Sequence, residues 1–269
     1  MPREYHSASS INMYKQCPRR YYYQYIKGFP TKKSIHLVRG NIVHSVLEDF
    51  FKVDINQISK ENFEFELKML ALELLKKHWV DNKTDIFESV PFKEKIGFYF
   101  EETRDMIGSW VNDLLDKLNP DDLINSFNKL KPKTEVEVIS NKYKIRGYID
   151  AVYDEEGIIV DYKTSNKEYI TPEYKLQLAL YSLLYLEKYG KMPSKAGINF
   201  LRFGEEFIDV DKALIDYAKS EVKKIHELTQ SDDVKDYPKC QGALCKWGNG
   251  ECDFYQICIG EDKKNNQKL

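Results

Sequence analysis

The chain has 269 residues, 42% apolar and 13% aromatic, a composition that suits a folded globular protein and excludes a disordered one. It contains no run of about eighteen apolar residues and its polar start, MPREYHSASSINMYKQC, lacks the apolar segment of a secretory leader, so a cytoplasmic protein without a membrane span is expected. The net charge of −2 does not advertise a polyanion partner, although Arg19-Arg20, Lys32-Lys33, Lys131 with Lys133 and Lys191 with Lys195 form local basic clusters able to meet one.

Residues 9–26 read as a helix led by Ser9 or Ser10 and ended by Gly28 and Pro30. Residues 40–52 place Val43, Val46, Leu47, Phe50 and Phe51 on one helical stripe, with His44 beside it. Two longer amphipathic helices are predicted over 61–79 and 93–118, separated by turn formers and Pro91. From Thr134 the period becomes strand-like: TEVEVI, then 142–153, then 157–162. The last two are joined by Asp154-Glu155-Glu156-Gly157, a hairpin signal. Thr171 and Pro172 then open a helix over 172–188, residues 195–203 alternate as a strand, and Asp211 leads a helix over 211–229. Residues 261–269 read as a disordered tail. The expected class is α/β or α+β, a helical half around a central antiparallel and mixed sheet.

The predicted hairpin brings Asp150 and Asp161 near each other, two like charges that need a cation to share a site. Lys163 lies two residues beyond Asp161, hence on the same strand face. Two acids and a lysine on one face are the minimal set for metal-assisted phosphodiester cleavage.

Of five cysteines, Cys17 stands near the start, and Cys240, Cys245, Cys252 and Cys258 fall together near the end. Clustering of this kind favours metal over disulfides in a cytoplasmic protein. The spacing does not match the paired CxxC knuckles of zinc ribbons, so an iron–sulfur cluster, a zinc ion and unligated thiols all stay open. A metal there would clasp the two ends of the chain together.

Read in order, these motifs resemble the RecB-type branch of the PD-(D/E)XK nucleases. In outline they are similar to the CRISPR-associated exonuclease Cas-four and the nuclease domain of AddB. The resemblance rests on Cys17-Pro18-Arg19 followed by aromatics, Gly40-x-x-x-His44, Gly147-x-x-Asp150, Asp161-x-Lys163, Gln177-x-x-x-Tyr181 and the terminal cysteines. It implies one nuclease domain over 1–260 with a restriction-endonuclease-like core. Within that domain, residues about 53–130 would be a helical insertion, and 9–26 with 236–258 would join in a cluster region. Asp150, Asp161, the carbonyl of Tyr162 and His44 would hold Mg2+ or Mn2+. Lys163 would orient water or stabilise developing charge, Gln177 would place the nucleophile or phosphate, and Tyr181 would contact the DNA backbone.

The family's terminal cysteines usually run C-x2-C-x5-C, whereas here six residues separate Cys245 from Cys252. The cluster is assigned to Cys17, Cys245, Cys252 and Cys258 with Cys240 as a spare or substitute, and as [4Fe–4S] with zinc as the alternative. Arg146 is a second-tier phosphate contact, and Glu135 and Glu137 are read as solvated strand residues rather than further acids. The implied activity is a metal-dependent exonuclease on single-stranded DNA ends in repair, recombination or CRISPR adaptation, with proteins of those pathways as partners. The alternatives are a structure-dependent endonuclease, a subunit of a helicase–nuclease assembly, and a non-catalytic DNA-binding module.

Overall fold

A computed structural model describes residues 3–90, 92–248 and 250–266. Its centre is a five-stranded mixed sheet in the order β1 (Lys133–Ser140), β2 (Ile145–Tyr153), β3 (Ile158–Lys163), β4 (Lys195–Phe200) and β5 (Gly204–Asp209). Neighbouring strands run antiparallel except β3 and β4, which are parallel. A parallel pair needs a long crossover, here the predicted helix at Pro172–Tyr189. Thr171 caps it by accepting from the Tyr174 N–H at 3.4 Å, with Pro172 in its first turn. The β2–β3 hairpin forms as expected, and Gly157 takes φ +65° in its turn, a backbone region that disfavours other residues.

The expected helix over 9–26 is broken. It starts one residue earlier, as α1 (Ala8–Gln16) capped by Ser7, and resumes as α2 (Pro18–Tyr21) and a wider π turn at Tyr22–Ile26. Cys17 between them is extended (φ −161°, ψ 108°), as sterics require of a residue before proline. Next come α3 (Ile35–Phe50), α4 (Phe63–Asp81), α5 (Lys83–Ser89), α6 (Ile96–Asp116) and α7 (Leu123–Leu130). Of these, α5 occupies the break of turn formers read between the two long helices. The 195–203 strand ends at Phe200, where a tight turn (Phe203 N to Phe200 O, 2.7 Å) sends the chain back as β5. The crossover helix is α8, and α9 (Lys212–Leu228) is capped by Asp211. A two-stranded ribbon, β6 (Lys246–Trp247) with β7 (Gly250–Glu251), precedes α10 (Tyr255–Asn266). Residues 261–266, expected within the tail, continue that helix, and 267–269 lie outside the described residues.

Two apolar cores sandwich the sheet. Ile149, Val152, Ile159 and Ile198 pack with α1, α8 and α9 on one side. Ala151, Val160 and Tyr162 pack with Val43, Val46, Leu47 and Phe50 of α3 and with α4, α6 and α7 on the other. The long helical stretch is thus a cover for one sheet face. Burial of Phe50, Phe127 and Trp110 there, each side chain contributing about 1.5–3 kcal/mol, holds it on the sheet. A buried ion network reinforces the attachment. Arg39 of α3 donates to Thr103 (3.0 Å) and Glu102 (3.0 Å) of α6, and Arg202 from the β4–β5 turn donates to the same Glu102 at 3.0 Å.

Candidate active site

The register of the sheet builds the site. Ala151 pairs with Val160, so one step further Asp150 and Asp161 come opposite each other. The Thr134–Ala151 and Val136–Ile149 pairs likewise leave Glu135 across from Asp150. Three carboxylates from three adjacent strands therefore lie in one row. At this point the β2–β3 ladder stops, and the Tyr162 N–H donates instead to Asp150 Oδ2 at 2.7 Å. Both aspartates are nearly inaccessible, Asp161 at 1% and Asp150 at 7%.

Cations and donors surround the row. Lys163 Nζ lies 2.6 Å from Asp161 Oδ2, as the two-residue spacing predicts. Gln177 Nε2 donates to Asp161 Oδ1 at 2.7 Å and to the Tyr181 hydroxyl at 3.0 Å, so Gln177 holds the aspartate rather than facing outward. Tyr181 is buried, its ring against Gly147, where any Cβ would come 3.1 Å from the ring and 3.2 Å from Leu184. That close approach explains the glycine of Gly-x-x-Asp, and it puts Tyr181 behind Gln177 instead of at the surface expected for a DNA contact. His44, on α3 beside its apolar stripe, brings Nδ1 to 3.4 Å from Asp150 Oδ2 and 3.6 Å from Glu135 Oε1. The Tyr162 side chain packs edge-on to His44 and Trp110, leaving its backbone to serve the site.

Arg146 is exposed on β2, four residues before Asp150. Glu137 is exposed and accepts from the Tyr148 hydroxyl at 2.8 Å, the solvated strand residue expected. Glu135 is not. It is half-buried and stands with His44 and Asp150, where a solvated strand residue was expected.

The electrostatics follow from burial. Removal from water, then the Asp161 charge, pushes the Asp150 carboxyl up to about 7. Burial works against the charged form of His44, but Glu135, Asp150 and Asp161 outweigh it and raise the ring's pKa. Burial likewise opposes the Lys163 ammonium, and Asp161 and Asp150 overcome it, keeping the lysine charged. Closely spaced, dehydrated carboxylate oxygens with one imidazole form a donor set that fits a hard divalent cation. Among the described residues, His44, Glu135 and Asp150 are the group whose ligand atoms all fall within 4.8 Å of one another.

All five cysteines line one cavity of about 290 Å³, together with Arg19, Arg20 and Lys239. Burial pushes up the thiols of Cys240 and Cys252, and Cys240 is raised further by hydrogen-bonding contact with Cys17. Cys240, read from sequence as a spare or substitute, lines the same cavity as the other four. Among the described residues no three sulfurs close within 4.8 Å of one another. The basic side chains of Arg19, Arg20 and Lys239 at the cavity would offset the charge of thiolates holding a metal.

A family model described as the PD-(D/E)XK nuclease superfamily matches residues 5–259. No curated protein matches the chain. Among solved structures, the crystal structure at 2.19 Å resolution of a "putative exonuclease" from Eubacterium rectale is similar in fold. Its TM-score is 0.56 at 14% identity, over 96% of this chain and 94% of that one.

Asp150 carries a pH signature. Its folded pKa of about 7 lies above the unfolded value of 3.8, so the stability it contributes is full below pH 4 and is lost as pH rises through 7. In chelator, Asp150→Asn is expected to melt above the wild type at pH 8, with the gap closing as pH falls to 4. Melting curves across that range check this, and a gap independent of pH contradicts it.

Proposed function

Because the chain belongs to the PD-(D/E)XK nuclease superfamily, we propose that it is a divalent-metal-dependent deoxyribonuclease acting as an exonuclease on single-stranded ends, in DNA repair, recombination or CRISPR adaptation. The observation that carries the reading is the convergence of Asp150, Asp161 and Lys163 from one hairpin, braced by Gln177 and faced by His44. Asp150, Asp161, the Tyr162 carbonyl and His44 would hold Mg2+ or Mn2+. The bound cation supplies Lewis acidity and makes hydroxide accessible near neutral pH. Lys163, kept charged by its two acidic neighbours, directs a water at the scissile phosphorus and stabilises charge developing on the phosphoryl oxygens. Gln177, locked between Asp161 and Tyr181, keeps the aspartate from rotating out of the row. Asp150, held by the Tyr162 N–H, presents its carboxylate in a fixed direction.

Exposed aromatics on the helical cover support a single-stranded substrate. Phe87, Phe92 and Phe98 are more than half exposed. Lys93 Nζ sits 4.0 Å from the Phe87 ring and Lys95 Nζ 5.6 Å from the Phe92 ring. Stacking surfaces interleaved with cations bind unpaired strands. The exonuclease mode follows the description of the Eubacterium rectale protein. The cysteine cavity would hold a [4Fe–4S] cluster, or zinc as the alternative, on Cys17, Cys245, Cys252 and Cys258, with Cys240 beside Cys17 as a spare or substitute. It would join α2 to the C-terminal segment. Among the described residues no helix is long and apolar enough to cross a membrane.

Asp150→Ala, Asp161→Ala and Lys163→Ala are each expected to lower the cleavage rate by about 10²–10⁴-fold while retaining DNA binding. Gel assays with labelled single strands test both, and full Mg2+- or Mn2+-dependent activity in Asp161→Ala would sink the reading. Protein purified without oxygen is expected to be yellow-brown and to lose its visible absorbance in Cys252→Ser. A colourless, folded, zinc-bearing preparation would reject the cluster and leave the nuclease standing.

A further inference from the structure

We propose that Arg202, held in place by Glu102, binds a backbone phosphate of the nucleic-acid strand adjacent to the scissile one. The inference rests on the nuclease reading and names where the strand runs once it leaves Lys163.

Topology brings two arginines to the mouth of the site. β3 and β4 are the parallel pair of the sheet, and their last residues, Lys163 and Phe200, stand opposite each other. Ligands of open sheets bind in the crevice outside the carboxyl ends of parallel strands. Arg202 comes two residues after Phe200, and the Leu201 N–H between them donates to the Lys163 carbonyl at 3.1 Å. Helix α3 approaches the same end, where a Cβ on Gly40 would meet Thr164 Oγ1 at 3.8 Å. Arg39, beside that glycine, precedes His44 by five residues, about 7.5 Å along the helix axis. The arginines therefore lie beside the acid row and not on it.

Fastening the helical cover does not use up this cluster. Two guanidinium groups share the Glu102 carboxylate, so positive charge is left over. Arg39 is buried and spends its donors on Thr103 and Glu102. Arg202 keeps 27% of its side chain exposed and donates through one terminal nitrogen to Glu102. Its Nε is buried without a partner, a costly arrangement for a residue that only had to brace a turn. The donors still free on Arg202 belong to a planar fork that matches phosphate oxygens. Phe98 lies four residues before Glu102, on the same face of α6, and is 59% exposed. A strand passing from Lys163 over Arg202 to Phe98 meets a cation for its phosphate and then a ring for its base.

The test is binding of a fluorescein-labelled oligothymidine, read by anisotropy at several salt concentrations. The full chain carries Asp161→Ala so that the strand is not cut. Adding Arg202→Gln is expected to weaken binding about tenfold, the loss of a charge-assisted contact. It is also expected to lower the slope of log affinity against log salt by about 0.7, the share of one phosphate on a single strand. Adding Glu102→Gln instead frees both guanidinium groups and is expected to leave binding as tight or tighter. A purely structural network predicts weaker binding in both variants with the salt slope unchanged, and that result would overturn the proposal. Unchanged affinity in Arg202→Gln would do the same. A second measurement needs no Arg202 variant. Phenylglyoxal modification of Arg202, mapped by mass spectrometry, is expected to fall when the oligonucleotide is present, while the exposed Arg104 reacts throughout. Equal modification of Arg202 with and without the strand contradicts the proposal, even if the glutamine variant folds poorly. A chain that binds no strand at all would instead overturn the nuclease reading beneath it.

Discussion

Everything at this site follows from one electrostatic constraint: three carboxylates, Glu135, Asp150 and Asp161, in a row across three adjacent strands where little water reaches them. Such a row is unfavourable unless positive charge is brought to it. The chain brings Lys163 from the same strand as Asp161 and His44 from a helix on the opposite sheet face. The Tyr162 N–H and the Gln177 amide add fixed dipoles. Those groups orient the acids without neutralising them, and the Asp150 carboxyl stays pushed up by burial and by Asp161. The fold thus holds a charge imbalance that a divalent cation relieves, the usual exchange of stability for function at such sites.

The two cores explain why the row keeps its geometry. Asp161 and Gln177 meet because α8 is pressed onto β2 through Tyr181 and Gly147 on the first side of the sheet. His44 meets the row from the second side because Val43, Val46 and Leu47 anchor α3 there. Arg39, Glu102 and Arg202 then join α3, α6 and the β4–β5 turn into one unit. Movement of the helical cover would accordingly move His44. In the cysteine cavity the extended Cys17 meets residues from the end of the chain.

Much of this was legible in the sequence because it is local. The hairpin of Asp150 and Asp161 needs only a short turn with a glycine, and the pairing of Lys163 with Asp161 needs only the two-residue period. The caps Thr171 and Asp211 announced their helices for the same reason. What escaped depends on longer range or on competing signals. Glu135 and Glu137 share one alternation, and only the cross-strand register and a positive φ tell them apart. Tyr181 lies on the helical face expected, but its depth is set by a glycine on a different element. The short helix α5 lies in a stretch that opens with Asp and Asn, which reads as a turn because those residues also cap helices. The break at Cys17 was readable in principle from the proline that follows it.

On the reading proposed above, this acid row cuts nucleic acid at free ends with the help of a divalent cation. Its most direct test is digestion of end-labelled linear single strands, duplexes and closed single-stranded circles, with Mg2+ or Mn2+ and with chelator. Linear single strands are expected to be shortened only when a divalent ion is present, and circles to stay intact. Cutting of circles as fast as linear strands, or cutting that persists in chelator, would contradict it.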